Sequence, residues 1–297
     1  MRKFFHTLYL IISAPFRLIY WIFRFIWRSI AGFFLEVKAI MTVEAEDTPL
    51  PDVVSRVVEN PDSILDQLAD LRRYLLRSVV ALALATALAF TFNQTVLEFL
   101  STPLEGGLES LVAIEVTEPV GTVMRVSLLA GFAISFPFIA FQVWLYIAPA
   151  IINRRNRIFG LMAIPVATLF FVGGMLFAYF VLLPAALPFL LNFMGINTIP
   201  RPSSYINFVT GIMFWLGVAF EFPLVIFLLA RLGWVRAEML SQQWRLAIVI
   251  IAVIAALITP TVDPVNMSLV MGPLIILYFF SILLAKIAQK RRSAAQA

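Results

Sequence analysis

The chain has no cysteine and a single histidine, His6, among its 297 residues. The missing cysteines exclude disulfides, thiolate zinc sites and a cysteine nucleophile, and one histidine excludes a multi-histidine metal site. No G-x-x-x-x-G-K-[ST] stretch is present, which excludes nucleotide hydrolysis at a P-loop. The sequence also lacks the G-x-S-G nucleophile of intramembrane serine proteases and the paired intramembrane aspartates of the aspartyl type. No enzyme class and no cofactor is indicated.

Charge is scarce as well. Charged residues make up 13% of the chain, against about a quarter in soluble domains. Hydrophobic residues make up 62%, and the mean hydropathy is +0.96. A domain of this size cannot hide so much apolar surface from water, so lipid is the solvent for most of the chain. The net charge of +5 then reports loop topology and not nucleic-acid binding.

Six apolar runs predict membrane spans. A helix needs about 20 residues to cross the full bilayer. The fifth run is short, and two prolines lie in the link between it and the sixth. Proline cannot continue a helix, so this link is predicted to be a sharp turn below the full membrane depth. The predicted spans are residues 78–99, 124–147, 158–183, 206–229, 246–258 and 265–285.

Positive charge alternates with loop parity. Arginine and lysine concentrate in residues 60–77, 150–157 and 232–245 and after the sixth span, whereas the loop between the first two spans is acidic. The positive-inside rule therefore predicts that the basic loops and both ends of the chain are cytoplasmic.

The first 66 residues differ from the rest. Residues 1–40 are basic and aromatic, and Arg17, Arg24 and Arg28 would share one helical face, which favours an interfacial amphipathic helix. A seventh span would place these arginines in hydrocarbon at about 2.5–3.5 kcal/mol each. A cleaved signal peptide fits less well, because no small-residue cleavage site follows a clean apolar core. Residues 41–66 are predicted to be an acidic cytoplasmic linker, 67–289 a six-span domain, and 290–297 a basic cytoplasmic tail.

Glu221 is an ionisable residue inside a predicted span, and such residues are costly in lipid. Pro223 frees a backbone carbonyl about one turn earlier, which gives the carboxyl polar surroundings. Two interpretations stay open: a structural polar contact or water-filled notch, and a proton-linked or substrate-contacting carboxyl. Before the first span, Asp70 and Arg73 are i,i+3 neighbours on one helical face. Ordinary charge in the first helical turn and the signal for membrane topology would account for both residues without a binding role.

Seven motifs follow one another between residues 63 and 286. Their order is similar to that of the TatC family, the multispanning receptor subunit of the twin-arginine (Sec-independent) protein translocase. The motifs are Leu68-Ala-Asp-Leu-Arg-Arg-Tyr-Leu75, Ser101-Thr-Pro-Leu104, Phe136-Pro-Phe-Ile-Ala-Phe-Gln-Val-Trp-Leu-Tyr-Ile-Ala-Pro-Ala150, Phe171 to Pro184, Gly217 to Pro223, Ile258 to Pro264 and Pro273 to Tyr278.

The resemblance implies an all-α integral membrane protein with six transmembrane helices in a cup-shaped bundle and both ends cytoplasmic. It implies the core receptor and scaffold subunit of the translocase in a prokaryotic inner membrane, present in several copies. The cytoplasmic face would bind twin-arginine signal peptides of folded cargo. TatA/TatB-type single-span subunits would be its partners, and the proton-motive force would drive export.

The resemblance also assigns sites by position. Asp70, Arg72, Tyr146 and Arg155 fall at positions for signal-peptide binding. Arg155 stands where the family carries a glutamate that pairs with the signal's arginines, and a cation there repels them. Tyr74 replaces the usual second arginine. The predicted inner-face and partner contacts are Pro103, Gln142, Glu221 and Asp263.

Two other functions compete with this one. A TatC-derived membrane scaffold that has lost twin-arginine recognition would account for Arg155. A proton-coupled solute transporter would use Glu221, but it predicts inverted repeats, and the two halves of the chain show no convincing repeat.

Overall fold

The computed structural model describes residues 62–148, 154–192, 198–259 and 264–296, and the regular structure in these ranges is helical. Residues 1–40, nearly all of the predicted acidic linker, Pro149 and Asp263 lie outside the described residues. The helices are α1 (Asp62–Thr91), α2 (Asn93–Ser101), α3 (Glu118–Ile147), α4 (Arg154–Phe177), α5 (Leu183–Leu191), α6 (Pro202–Phe220), α7 (Phe222–Leu232), α8 (Ala237–Gln242), α9 (Trp244–Ile258) and α10 (Pro264–Gln296).

Five helical stretches are long and apolar enough to cross a membrane, and α9 is a shorter apolar helix. The all-α, six-span architecture predicted from hydropathy is therefore confirmed, and so is the short fifth span. The 15 residues of α9 measure about 22 Å, against about 30 Å of hydrocarbon. The long stretches are Leu68–Thr91, Glu118–Ile147, Gly160–Leu191, Pro202–Leu232 and Pro264–Lys290.

The first span ends earlier than hydropathy predicts. Apolar sequence continues to Phe99, yet α1 stops at Thr91 and the chain turns into α2. The side chains of Thr91 and Asn93 donate hydrogen bonds to the carbonyls of Leu88 and Phe90, at 2.7 and 2.6 Å. These bonds compete with the helical ladder and favour a turn. A hydropathy profile reports how apolar the residues are, so it cannot predict a helix break that local hydrogen bonds cause.

The third and fourth spans approach each other closely through glycines. A Cβ added to Gly174 would lie 2.7 Å from the carbonyl oxygen of Leu216, and one added to Gly217 would lie 2.8 Å from the ring of Phe171. Phe171 in turn stacks on Phe136 of α3, with ring centroids 4.2 Å apart. Small residues let helix backbones meet in lipid, where packing contacts replace the hydrophobic effect as the force for association.

The other spans attach to this centre in different ways. The first span, α1, packs chiefly against α3, where a Cβ on Gly131 would lie 2.6 Å from the backbone of Thr86. The sixth, α10, packs along α7 through a small cluster that includes Ala230 and Ala285. The hydroxyl of Tyr278 donates a 2.6 Å hydrogen bond to the carbonyl of Leu240, which attaches the short helix α8 to the last span.

Candidate functional site

A cavity of about 800 Å³ opens at the end of the bundle that carries the basic loops. Its walls come from α1, α3, α4 and α7, together with Trp234. Among the described residues, the lining is apolar apart from two carboxylic acids and a few aromatic polar groups, and it includes no lysine, arginine or histidine. Asp70 is exposed near the start of α1, at the end with the basic loops, which we call the mouth, and Glu221 lies at the junction of α6 and α7. Its size suits a substantial ligand, since binding pockets range over about 300–1,000 Å³.

The mouth combines one carboxylate with two tyrosines. Asp70 and Tyr74 are one helical turn apart on α1, and both line the cavity. The ring of Tyr74 meets the ring of Tyr146 edge to face, with centroids 6.3 Å apart. The guanidinium of Arg77 lies 5.9 Å from the centroid of the Tyr74 ring. A planar cation of the chain itself therefore already lies near the Tyr74 ring.

Farther in, Glu221 occupies a break between α6 and α7. Pro223 has no N–H to bond the carbonyl of Ala219, so the regular ladder cannot continue there. The backbone tightens instead, with a bond from the N–H of Glu221 to the carbonyl of Val218 at 3.1 Å. One carboxyl oxygen, Oε1, is buried and has no hydrogen-bond partner among the described residues. A polar group left in this state is costly, so it is suited to meet a polar group of a ligand or partner.

The indole of Trp144 forms one wall and is packed tightly in place. It is 5% exposed and lies against Gly160 of α4. A Cβ on Gly160 would overlap the six-membered ring of the indole. Glycine at this position is therefore what allows α4 to seat the indole against the cavity.

The structure brings together three of the predicted site residues, Asp70, Tyr146 and Glu221. Arg72 is exposed, two residues from Asp70 on a different part of the helix surface, and does not line the cavity. Gln142 is 3% exposed inside the bundle and does not line it either. The remaining residues lie elsewhere: Pro103 follows α2 at the opposite end, Arg155 is placed by its backbone in the first turn of α4, and Asp263 lies outside the described residues.

A polar cluster at the opposite end of the bundle escaped the sequence analysis. Arg201 precedes α6 and donates hydrogen bonds to the carboxylates of Glu118 and Glu115, the latter at 3.1 Å. The hydrogen bond to Glu118, with a second to Glu115, raises the pKa of the Arg201 guanidinium above its ordinary value. Ser203 and the N–H of Ile114 complete the surroundings of Glu118, at 3.3 Å each. One feature of the sequence could have predicted this cluster: Arg201 is the lone cation of its loop, on the same side of the membrane as the acidic loop between the first two spans.

The same end holds α2 in place with two tyrosines. The hydroxyl of Tyr179 donates to the carbonyl of Phe99 at 2.6 Å, and that of Tyr205 to the carbonyl of Leu100 at 2.8 Å. Tyr179 lies on a widened π-type turn, Ala178–Leu182, and stacks on the ring of Phe99. This end is therefore a closed, hydrogen-bonded cap, in contrast to the open cavity.

Known proteins are similar to this chain in sequence and in fold. The family model described as Sec-independent protein translocase protein (TatC) matches residues 66–273. The Sec-independent protein translocase protein TatC of Deinococcus radiodurans is 36% identical over 232 residues, which cover 75% of this chain and 86% of that protein. Its counterpart in Koribacter versatilis is 33% identical over 247 residues, covering 79% and 91%.

A solved structure agrees. The crystal structure of the twin-arginine translocase receptor TatC superimposes with a TM-score of 0.67 at 35% identity, and covers 75% of this chain and 99% of that one. The cup-shaped, six-span arrangement fits this likeness, and the family has a transport role and not an enzymatic one. The open cavity, the ordered motifs and these matches lead to one conclusion: the chain belongs to the TatC family, the multispanning subunit of the Sec-independent protein translocase.

Proposed function

We propose that this chain is a signal-peptide receptor, and that the mouth of the cavity binds the paired arginines of folded cargo proteins. The observation that supports this most strongly is the cavity, which places Asp70 beside Tyr74 and Tyr146 at the entrance to an apolar chamber. A signal peptide presents the matching sequence of features, since cations precede an apolar segment. The cations would stay at the mouth while the apolar segment contacts the walls.

The chemistry of the mouth favours arginine over lysine. A guanidinium is planar, can donate two parallel hydrogen bonds to a carboxylate, and stacks on aromatic rings, whereas an ammonium is a compact point charge. Asp70 supplies the carboxylate, and Tyr74 already has the guanidinium of Arg77 near its face. The tyrosine that replaces the family's usual arginine therefore contributes an aromatic surface for the incoming cation.

Arg155 weakens this site in our proposal. Arg154, Arg155 and Arg157 fall in the first turn of α4, where the helix dipole favours acids and disfavours cations. These arginines do not stabilise the helix, but by the positive-inside rule they favour a cytoplasmic position of the loop. A cation close to the entrance repels a doubly positive ligand, so binding is expected to be weaker here than with a glutamate at position 155.

The wider setting follows from membership of the translocase and from the charge pattern. We place the protein in the inner membrane of a prokaryote with the cavity mouth and both chain ends on the cytoplasmic side. Single-span TatA/TatB-type subunits are the proposed partners, with several copies in one complex. Glu221, Pro103, Gln142 and Asp263 remain predicted inner-face contacts, and Glu221 is supported by its place in the cavity wall.

The test measures binding of two signal peptides to the purified full chain in detergent, one with two arginines and one with two lysines. We expect the arginine peptide to bind more tightly, Asp70→Asn to weaken it by about tenfold, and Arg155→Glu to strengthen it. Glu238→Gln is the matched control, because Glu238 is an exposed acid on α8 that does not line the cavity. Equal binding of both peptides by the unaltered protein would overturn the receptor role and leave the scaffold alternative.

A further inference from the structure

The chain carries a segment that matches its own cavity. We propose that residues 2–14 occupy the cavity when no external peptide is bound, with Arg2 and Lys3 at Asp70 and the apolar run Leu8–Ala14 against the walls. The cavity would then be an intramolecular docking surface, and the bound segment an internal competitor. The consequence for signal peptides rests on the proposed function, whereas the docking itself does not.

Charge complementarity is the first support. Among the residues that the structure describes, the lining of the cavity contains two carboxylic acids and no cation, although the chain as a whole has a net charge of +5. Its natural occupant is therefore an apolar segment that carries positive charge at the end nearer the mouth. A negatively charged or uncharged polar segment would leave Asp70 without a counter-ion and the apolar walls without contacts.

The sequence offers one segment outside the described helices that fits. Adjacent cations occur at 2–3, 72–73, 154–155 and 290–292. The second and third pairs lie within α1 and α4, and the last is followed by small and polar residues up to Ala297. Arg2-Lys3 is followed by Phe4 and Phe5 and then by the apolar run from Leu8 to Ala14.

The dimensions agree. The lining on α3 runs from Phe136 to Ile147, a distance of about 16 Å along the helix axis. The seven residues Leu8–Ala14 measure about 10 Å as a helix and about 23 Å when extended, so the two forms bracket the depth. The 47 residues between Ala14 and Asp62 would reach about 40 Å on average even as a random coil, so connection length is not limiting.

Tethering makes a weak contact effective. A ligand joined to its site by a linker of this kind has an effective concentration near the millimolar range. If the segment fills the cavity in nine of ten molecules, the apparent affinity for an external peptide falls about tenfold. The device would exclude weak or wrong ligands and admit a peptide that outcompetes it.

The first experiment uses the absence of cysteine, because in the full chain any disulfide must join two introduced residues. Ile12→Cys is combined with Val225→Cys, a lining residue of α7, and in the control with Val249→Cys on the exposed surface of α9. Under mild oxidation we expect the first pair to form a disulfide within one chain and the control pair not to. Equal yields, no disulfide in the first pair, or a disulfide found solely between two chains would overturn the proposal.

The second experiment separates this inference from the receptor role. The variant with Arg2→Ala and Lys3→Ala should bind an external two-arginine peptide about tenfold more tightly than the unaltered chain. Lys290→Ala with Arg291→Ala is the matched control and should leave the affinity unchanged. If no variant binds the peptide while Ile12→Cys still cross-links to Val225→Cys, docking stands and the receptor role falls. If the peptide binds equally to all and no cross-link forms, the receptor role stands and docking is wrong.

Discussion

At the scale of single residues, the site depends on contacts between side chains far apart in sequence. Tyr74 and Tyr146 meet edge to face although they are 72 positions apart, and both line the same cavity as Asp70. The guanidinium over Tyr74 indicates that the ring attracts planar cations, an interaction worth about 0.5–1 kcal/mol at exposed positions. We therefore expect Tyr74 to contribute to the proposed preference for arginine.

Removing this ring should lower the discrimination between arginine and lysine. Tyr74→Ala is expected to reduce the ratio of the two peptide affinities by about two- to fivefold, since cation–π attraction favours a stacked guanidinium. Tyr74→Phe keeps the ring and should retain the ratio. Peptide titration of the three proteins measures the effect, and an unchanged ratio in Tyr74→Ala would show that the ring takes no part in recognition.

Gly160 is a second residue whose identity the geometry demands. Gly160→Ala places a methyl group within the indole of Trp144, so the wall of the cavity must shift at a cost of about 1–3 kcal/mol. Gly173→Ala in the same helix meets nothing within 4 Å and should be neutral or slightly stabilising, because alanine favours helix. Thermal unfolding in detergent compares them. Equal Tm values for the two variants would contradict the tight packing at Trp144.

Sequence analysis reached part of this site. Asp70, Tyr146 and Glu221 were predicted from motifs, and the structure brings all three to one cavity. Trp144 with Gly160, and the pairing of the two tyrosines, could not be predicted, because helix packing decides which side chains face each other. Gln142, from the same motif as Tyr146, is buried in the bundle and does not line the cavity, so its inner-face contact stays a prediction.

At the scale of helices, hydropathy predicts the spans well and their ends poorly. The first helix begins at Asp62, well before its apolar part, and breaks at Phe92 within an apolar run. The third span includes the π-type turn Ala178–Leu182 and continues beyond residue 183 as α5, to Leu191. Helix ends are set by local hydrogen bonds and by proline, and a hydropathy average contains neither.

The cap at the closed end joins two loops through Arg201. Arg201→Ala would leave the buried carboxylate of Glu118 without its counter-ion, so we expect a clear fall in Tm. Adding Glu118→Gln should recover part of the loss, because an amide tolerates burial without a cation. Arg125→Ala, which removes an exposed cation near the same end, is the control and should have little effect. Additive effects of the two cap substitutions would show that the pair is not coupled.

At the scale of the whole molecule, the bundle has one open end and one closed end. The cavity opens where the basic loops lie, while hydrogen bonds from Tyr179, Tyr205 and Arg201 close the opposite end. The positive-inside rule assigns the open end to the cytoplasm. We therefore expect the cavity to face the cytoplasm, an orientation set by the distribution of a few arginines and lysines.

Single cysteines in the cysteine-free chain can test this orientation. Glu109→Cys, in the loop of the closed end, should react with a membrane-impermeant maleimide in intact cells stripped of their outer envelope. Lys290→Cys, near the end of α10, should react after the membrane is permeabilised. Both positions are exposed, so accessibility to the reagent depends on the side of the membrane. The reverse labelling pattern would overturn the assigned topology.

The packing of α1 bears on how a bound peptide would leave the cavity. This helix carries the carboxylate of the mouth, whereas the apolar walls belong mainly to α3, α4 and α7. Because α1 rests chiefly on α3, with its close approach at Thr86 and Gly131, a movement of α1 would disturb few contacts outside that pair. Such a movement would separate the carboxylate from the walls of α4 and α7 and open the chamber sideways. Under the proposed receptor function, a bound peptide would then have a lateral route into lipid.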